Sequence, residues 1–270
     1  MIITKGEDLL ENEAIEFVGE VPNLINSQIY VHGENNILVC EEGVTLKDSR
    51  IDFHQNNSIL YLSSNSHDYR VTISLNIDST CFIGKNNFFN GITAIVASEA
   101  KNIVIGNDCF FSYNVVIRVS DGHGIYSTKD NKRLNHAKSI FIGDHVWFGQ
   151  NSMVFKGSQI HSGSIIGAGS IVSNKIIPSN VTYAGSPVRL IKDNTFWIPH
   201  STQGWSAEDI EKMEEYSNEL FIYKSDESTL DFNEIDEELL KSNAEESLEY
   251  LTIILLNNNK NRFALSEEDK

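Results

Sequence analysis

The chain of 270 residues is poor in cations: 21 Lys and Arg stand against 38 Asp and Glu, a formal net charge of −17. General nucleic-acid binding, which needs a basic stripe facing the phosphates, is therefore not expected. The deficit is uneven, because residues 193–270 hold 20 acidic and 6 basic side chains while residues 1–192 are close to neutral. No apolar run approaches the roughly 20 residues of a membrane-spanning helix. No N-terminal basic-plus-apolar leader is present either, so a cytoplasmic protein is expected. Only three cysteines occur, Cys40, Cys81 and Cys109, without the paired spacing of a metal site. They read as small buried packing residues.

What the chain does have is a short repeat. Every sixth residue from Ile142 is aliphatic or aromatic: Ile142, Phe148, Val154, Ile160, Ile166 and Val172. Four residues after each comes a small or β-branched one, Val146, Ser152, Ser158, Ser164, Ser170 and Ile176, and Gly143, Gly149 and Gly167 directly follow an apolar member. Neither a helical period of about 3.6 nor a strand period of about 2 accounts for this. The phase recurs at Ile77, Ile83, Phe89 and Ile95, and at Ile105, Phe111 and Ile117, with Cys81, Cys109 and Val115 in the small position. It breaks near Lys101 and between Ile117 and Ile142. A chain with so short a period winds into strand-plus-turn rungs, large side chains filling the core and small ones lying inward at the next corner.

This [Leu/Ile/Val]-Gly-x-x-[small]-x pattern resembles the hexapeptide-repeat acyltransferase superfamily, well over residues 77–192 and weakly over 37–76. The resemblance implies an all-β fold, a left-handed parallel β-helix, over residues 37–192. An irregular N-terminal cap is expected at 1–36, and an acidic helical extension at 193–270. It also implies a homotrimer with active sites between subunits. A γ-class carbonic anhydrase shares such a helix and binds zinc through histidines, two of them five apart. No two of the 8 histidines here are so spaced, and no metal is expected.

The break from residue 118 to 139 is an extruded loop, and long loops in regular folds usually carry function. It contains Asp121-Gly122-His123-Gly124, whose glycines leave the imidazole accessible. The resemblance is closest to galactoside, maltose and xenobiotic acetyltransferases and to polysaccharide and sialic acid O-acetyltransferases. These have a catalytic histidine at the start of such a loop, followed by an Ile-Gly-x-x-Val-Trp-Ile-Gly-like stretch, here Ile142 to Gly149. His123 lies 24 residues before Trp147, as in that family. The implied role is general base, taking the acceptor hydroxyl's proton as it attacks acetyl-CoA directly. Asp121 is the candidate for orienting it. Arg118, Lys129, Lys132, Arg133 and Lys138 outnumber Asp121 and Asp130, so the loop should attract anions. Arg118, Tyr126, Lys132, Arg133 and His136 are the candidate acceptor contacts. His145 and His161 are expected at solvated corners.

The closing coils, from Ile166-Gly-Ala-Gly-Ser through Ala184-Gly-Ser-Pro-Val-Arg189 to Lys192, match the family's ending. The resemblance places Gln150, Ala168 and Ser173 along the pantetheine arm, Trp147 near its acetyl end, and Lys175, Arg189 and Lys192 near the phosphate. Beyond Pro199, Ser206 should start a helix with Ile210, Met213 and Leu220 on its apolar side. Leu239, Leu240, Leu248, Leu251 and Ile254 outline a second helix, packed on the β-helix or on a neighbouring subunit. Asn257 to Asn259 and the charged end look frayed. The expected function is acetyl-CoA-dependent O-acetylation of a sugar hydroxyl on a cell-surface polysaccharide or sialic acid. Acetylation of an antibiotic or a small sugar, or a non-catalytic scaffold, are the alternatives.

Overall fold

The structure, a computed structural model, describes residues 1–266. Its core is a left-handed β-helix whose strands stack on three faces, with parallel pairing from coil to coil. The first face includes Thr93–Ala97, Val116–Arg118, Met153–Phe155 and Ile171–Ser173. The second includes Ile103–Ile105, Ile140–Ile142 and Gln159–Ile160, and the third Phe88–Phe89, Phe110–Phe111 and Trp147–Phe148.

The six-residue members Ile142, Phe148, Val154, Ile160, Ile166 and Val172 point inward and are fully buried. Phe89, Phe111 and Phe148 stack face to face along the axis, with centroids 4.9 and 5.0 Å apart. That is the strand spacing, so parallel pairing itself sets the aromatic contact. Ile77 departs from the expected phase: it is 43% exposed and lies in a turn, while Ile73 and Leu75 point inward. Ile176 is likewise 48% exposed, and its neighbour Ile177 takes the inward place.

Coil length explains why the repeat fades upstream. Stacked corners lie 18 residues apart at Asp144 and Ser162, but 22 apart at Ser27 and Ser49. Much of the excess sits where the first face turns into the second, at residues 32–36, 54–58, 76–79 and 98–101. Asn35, Asn57 and Asp78 adopt φ of 56°, 59° and 51° there, a region their short polar side chains tolerate. They also bond to one another, Asn35 Nδ2 to Asn57 Oδ1 at 3.3 Å and Asn57 Nδ2 to Asp78 Oδ1 at 2.8 Å. The break near Lys101 is one of these turns, and the loop at 118–139 enlarges the same corner.

Winding begins earlier than residue 37. Glu16–Gly19, Asn23–Ile25 and Gln28–Val31 already pair in parallel with Ile37–Cys40, Thr45–Lys47 and Arg50–Phe53. Only the preceding residues close the end, with Ile2–Ile3 antiparallel to Gln28–Val31 and Leu9 and Ile15 buried.

The C-terminal extension packs on the second face of its own chain. Helix α1 (Ala207–Lys212) starts at Ser206 with a capping box to Asp209, but it ends at Met213, so Leu220 is not on it. The single helix expected around Leu239 to Ile254 is two, α2 (Phe232–Lys241) and α3 (Ala244–Leu256), because Ser242 is extended and Asn243 caps a new start. Phe232, Ile235, Leu239, Leu251, Ile254 and Phe263 cover the outward Ile37, Ile59, Phe82, Val104 and Phe141. Asn257 to Asn259 are followed by an anchor rather than a frayed end. Arg262, 1% exposed, grips Asp144 with Nε and Nη2 at 2.8 and 2.7 Å and donates to the carbonyls of Ile254 and Asn257. The charged end at 267–270 lies outside the described residues.

His145 and His161 are buried, not solvated, because this extension covers their corners. His145 is sandwiched between Trp197 and Phe221, with centroids 4.0 and 4.4 Å away, and its Nε2 lies 3.0 Å from the Trp197 carbonyl. His161 stacks on Phe232, and burial pulls its pKa down to about 4. The unfolded chain, whose histidine has a pKa near 6.5, therefore binds the proton more readily. This contribution to stability is complete above about pH 6.5 and is lost as the pH falls towards 4. His161→Phe should flatten that acid limb in chemical unfolding measured from pH 7 to 4.5; an unchanged slope would contradict it.

Candidate active site

The loop is a tethered hairpin. Leu134 N donates to Ile125 O and Ser127 N to Lys132 O, both at 2.8 Å, and Tyr126 bridges to Arg133. Its centre is Asn135, 8% exposed. The Asn135 Nδ2 donates to Asp121 Oδ2 and to the His123 carbonyl, each at 2.8 Å, while its Oδ1 accepts from Ile125 N at 2.7 Å. Asn135 thus fixes the backbone on both sides of His123. Gly122 turns the chain at φ 79°, and a Cβ at Gly124 would meet the Tyr126 ring at 2.8 Å. The His123 side chain stands exposed, with no hydrogen-bond partner among the described residues.

Asp121 is engaged elsewhere. Lys156, on the corner one coil below, donates to its Oδ2 at 2.5 Å, and that bond, followed by the Asn135 bond, holds the carboxyl below the usual range. Arg133 pairs with Glu99 at 2.7 Å and Lys132 with Asp130 at 3.7 Å, so much of the loop's positive charge is already matched. Arg118, at the loop's root, has no ion pair among the described residues, nor do Lys129 and Lys138, the latter donating to Asn174 Oδ1. Arg118 lies between Val96 and Phe155 on the first face, and its Nε is buried without a partner among the described residues. Tyr126 and His136 are exposed on the loop surface.

Of the residues assigned to the donor, Trp147, Gln150 and Ala168 lie at a different corner, whereas Ser173 and Lys175 flank Asn174 at the loop's own corner, where Lys138 Nζ donates to Asn174 Oδ1 at 2.6 Å. Trp147, Gln150 and Ala168 are exposed where the third face turns into the first, and Gly169 N bonds Gln150 O at 2.8 Å across two coils. A Cβ at Gly149 would meet Ala168 N at 2.4 Å, and one at Gly169 would meet nothing within 4 Å. The track is therefore close-packed beneath and free of side chains above, a form that fits an extended arm lying on backbone. Ser173 ends its strand paired with Phe155, and Lys175 sits 5.8 Å over the Tyr183 ring. Arg189 and Lys192 lie on Arg189–Lys192, which folds back antiparallel to Thr182–Ala184, and all four of these residues are exposed. Within one chain the loop and the Trp147 corner are separated by the first face, and no described contact joins them.

Asn135, Lys156 and Glu99 carry no motif, and sequence reading missed them. Their signal lies in coil stacking: Lys156 is 35 residues from Asp121 and Glu99 is 34 from Arg133, both pairs sharing one corner. Among the described residues no group of His, Cys, Asp and Glu could hold a metal, and no helix is long and apolar enough to cross a membrane.

Parallel coils stacked into a left-handed β-helix are the architecture of the hexapeptide-repeat acyltransferases, and known proteins agree. No family model matches the chain. The polysialic acid O-acetyltransferase of Neisseria meningitidis is 37% identical over 180 residues, 65% of this chain and 83% of that protein. That of Escherichia coli O1:K1 / APEC is 48% identical over 102 residues, 38% of this chain and 33% of that one. The crystal structure of the polySia specific acetyltransferase NeuO aligns with a TM-score of 0.62 at 29% identity, covering 74% of this chain and 93% of its own. The chain belongs to the polysialic acid O-acetyltransferase family and is an acyltransferase.

Proposed function

We propose that the protein transfers an acetyl group from acetyl-CoA to a hydroxyl of a sialic-acid-containing cell-surface polysaccharide. The observation that carries this is the His123 imidazole, held out on a backbone pinned by Asn135 with its ring nitrogens uncommitted. A neutral imidazole placed against the acceptor accepts the hydroxyl proton during attack and returns it to the leaving thiolate. Acetyl-CoA supplies the activated thioester. Trp147, Gln150, Ala168 and Ser173 form the track for its arm, and Lys175, Arg189 and Lys192 meet its phosphates. Arg118, half-buried at the root of the loop, takes the acceptor's carboxylate, and Tyr126, Lys132, Arg133 and His136 line its approach.

The separation of His123 from Trp147 supports a site completed by a second chain, hence a homotrimer. The outward Ala94, Val96, Val116, Met153, Phe155 and Ile171 of the first face, half-buried and apolar, suit such packing. Three free buried cysteines accord with a cytoplasmic location. The test is thiol release from acetyl-CoA with polysialic acid, neutral polysaccharides and aminated acceptors in parallel. Release stimulated by the sialylated acceptor is the expected result; stimulation by aminated acceptors alone would overturn the assignment.

A further inference from the structure

A second concave site lies away from the loop, between the third face and the C-terminal extension. It is a cleft of about 940 Å³, within the range of small-molecule sites, roughly 300–1,000 Å³. Its floor is aromatic. Phe88 and Phe110, outward residues of neighbouring strands, stack at 5.1 Å, and the exposed His67 stands edge-on to Phe88 at 4.8 Å. On the second face outward aromatics are covered by α2 and α3; here they remain half-exposed. Around them, at the corner before the third face, are the carboxamides of Asn86 and Asn107 and the exposed carboxylate of Asp108.

The charge inventory restricts what can occupy the cleft. Two cations line it, and both are engaged: Arg262 by Asp144 and two carbonyls, Lys260 by the Glu219 carbonyl at 2.7 Å. Arg262 is matched by Asp144, and Lys260, whose carbonyl partner leaves its charge in place, is balanced by Asp108, so the lining has no net positive charge to draw an anion. A purely apolar molecule would desolvate that carboxylate and the carboxamides without replacing their hydrogen bonds. What satisfies both sets is a ring with one apolar C–H face, to lie on the electron-rich aromatic faces, and hydroxyls around its rim, to bond the carboxylate and amides.

We propose that this cleft binds an uncharged saccharide ring, stacked on Phe88 and Phe110 and hydrogen-bonded by Asp108 and the neighbouring asparagines. The proposal goes beyond the transfer reaction and does not depend on it, since the cleft uses none of the residues assigned to acetyl transfer. A shallow site of this kind binds weakly, with Kd of about millimolar for a short oligosaccharide, on the order of −4 kcal/mol.

The test is saturation-transfer NMR on the full-length protein with maltotriose, chitotriose, lactose and a sialic acid trimer as probes. At least one neutral probe should bind saturably, with enhancement on its C–H face. Asp108→Asn, which tolerates the φ of 57° at that position, and His67→Ala should each weaken it, Asp108→Asn by about ten-fold as expected for loss of a charged hydrogen bond. Phe88→Ala should abolish it; Asp108→Asn and His67→Ala, both at exposed positions, keep the test sound if Phe88→Ala fails to fold. His123→Ala should leave it unchanged, so failure of the catalytic reading and failure of this one are read separately. Binding of no neutral probe, equal binding by Asp108→Asn and His67→Ala, or displacement of the neutral sugar by the sialic acid trimer would overturn the proposal.

Discussion

His123→Ala should lower kcat by about 10²-fold or more, the usual cost of losing a general base, while leaving the fold intact. The distinction follows from how the residue is held. Its backbone is fixed from outside, by the Asn135 amide on the His123 carbonyl and on Asp121, and its ring is exposed with no partner among the described residues. Removing the ring therefore disturbs no contact that supports the loop. The measurement is acceptor-dependent thiol release beside a thermal melt: turnover should collapse with the melting temperature unmoved, and KM for acetyl-CoA should change little. Turnover within a few-fold of the parent would remove His123 from the chemistry and favour a scaffold.

Arg262→Ala should destabilise the protein by about 3–5 kcal/mol, the range for breaking a buried ion pair from one side. The guanidinium and the Asp144 carboxylate have side-chain exposures of 2% and 11%, so water replaces little of what is lost. The carboxylate would keep only backbone donors such as Asn107 N at 2.6 Å. Because a solenoid's stability is a sum of local terms, the loss should appear as early release of the extension rather than uniform weakening. Urea unfolding followed by limited proteolysis reads both. Replacing the pair together, with Arg262→Met and Asp144→Leu, should recover much of the loss. A single-variant loss under about 1 kcal/mol would mean the anchor is not closed in solution.

The six-residue pattern made the β-helix legible from sequence because large apolar side chains recur at the strand positions that face the axis and small ones at the corners, and Phe148 or Val154 can be placed without any structure. It failed at Ile77 and Ile176, where a longer or shorter corner shifts which residue points inward and the period alone cannot show that. The loop that carries His123 was legible because it interrupts a regular pattern. Asn135 and Lys156 were not, since their meaning comes from stacking coils of unequal length, which must be known before neighbours can be paired. His145 and His161 were misread for a related reason: their solvent exposure is decided by a helical extension more than fifty residues downstream of His145, with Trp197 as its first contact.

The unequal corners have a consequence for how such an enzyme can diversify. Lengthening one corner shifts nothing above or below it: stacked residues Asn102 and Ser139 lie 37 apart, yet the strands beside them, Ile103–Ile105 and Ile140–Ile142, pair without a bulge. Loop length is therefore decoupled from the register of the coils above and below it. Such a corner can gain or lose residues, and so reshape one edge of the protein, while the strands of the other two corners keep their stacking.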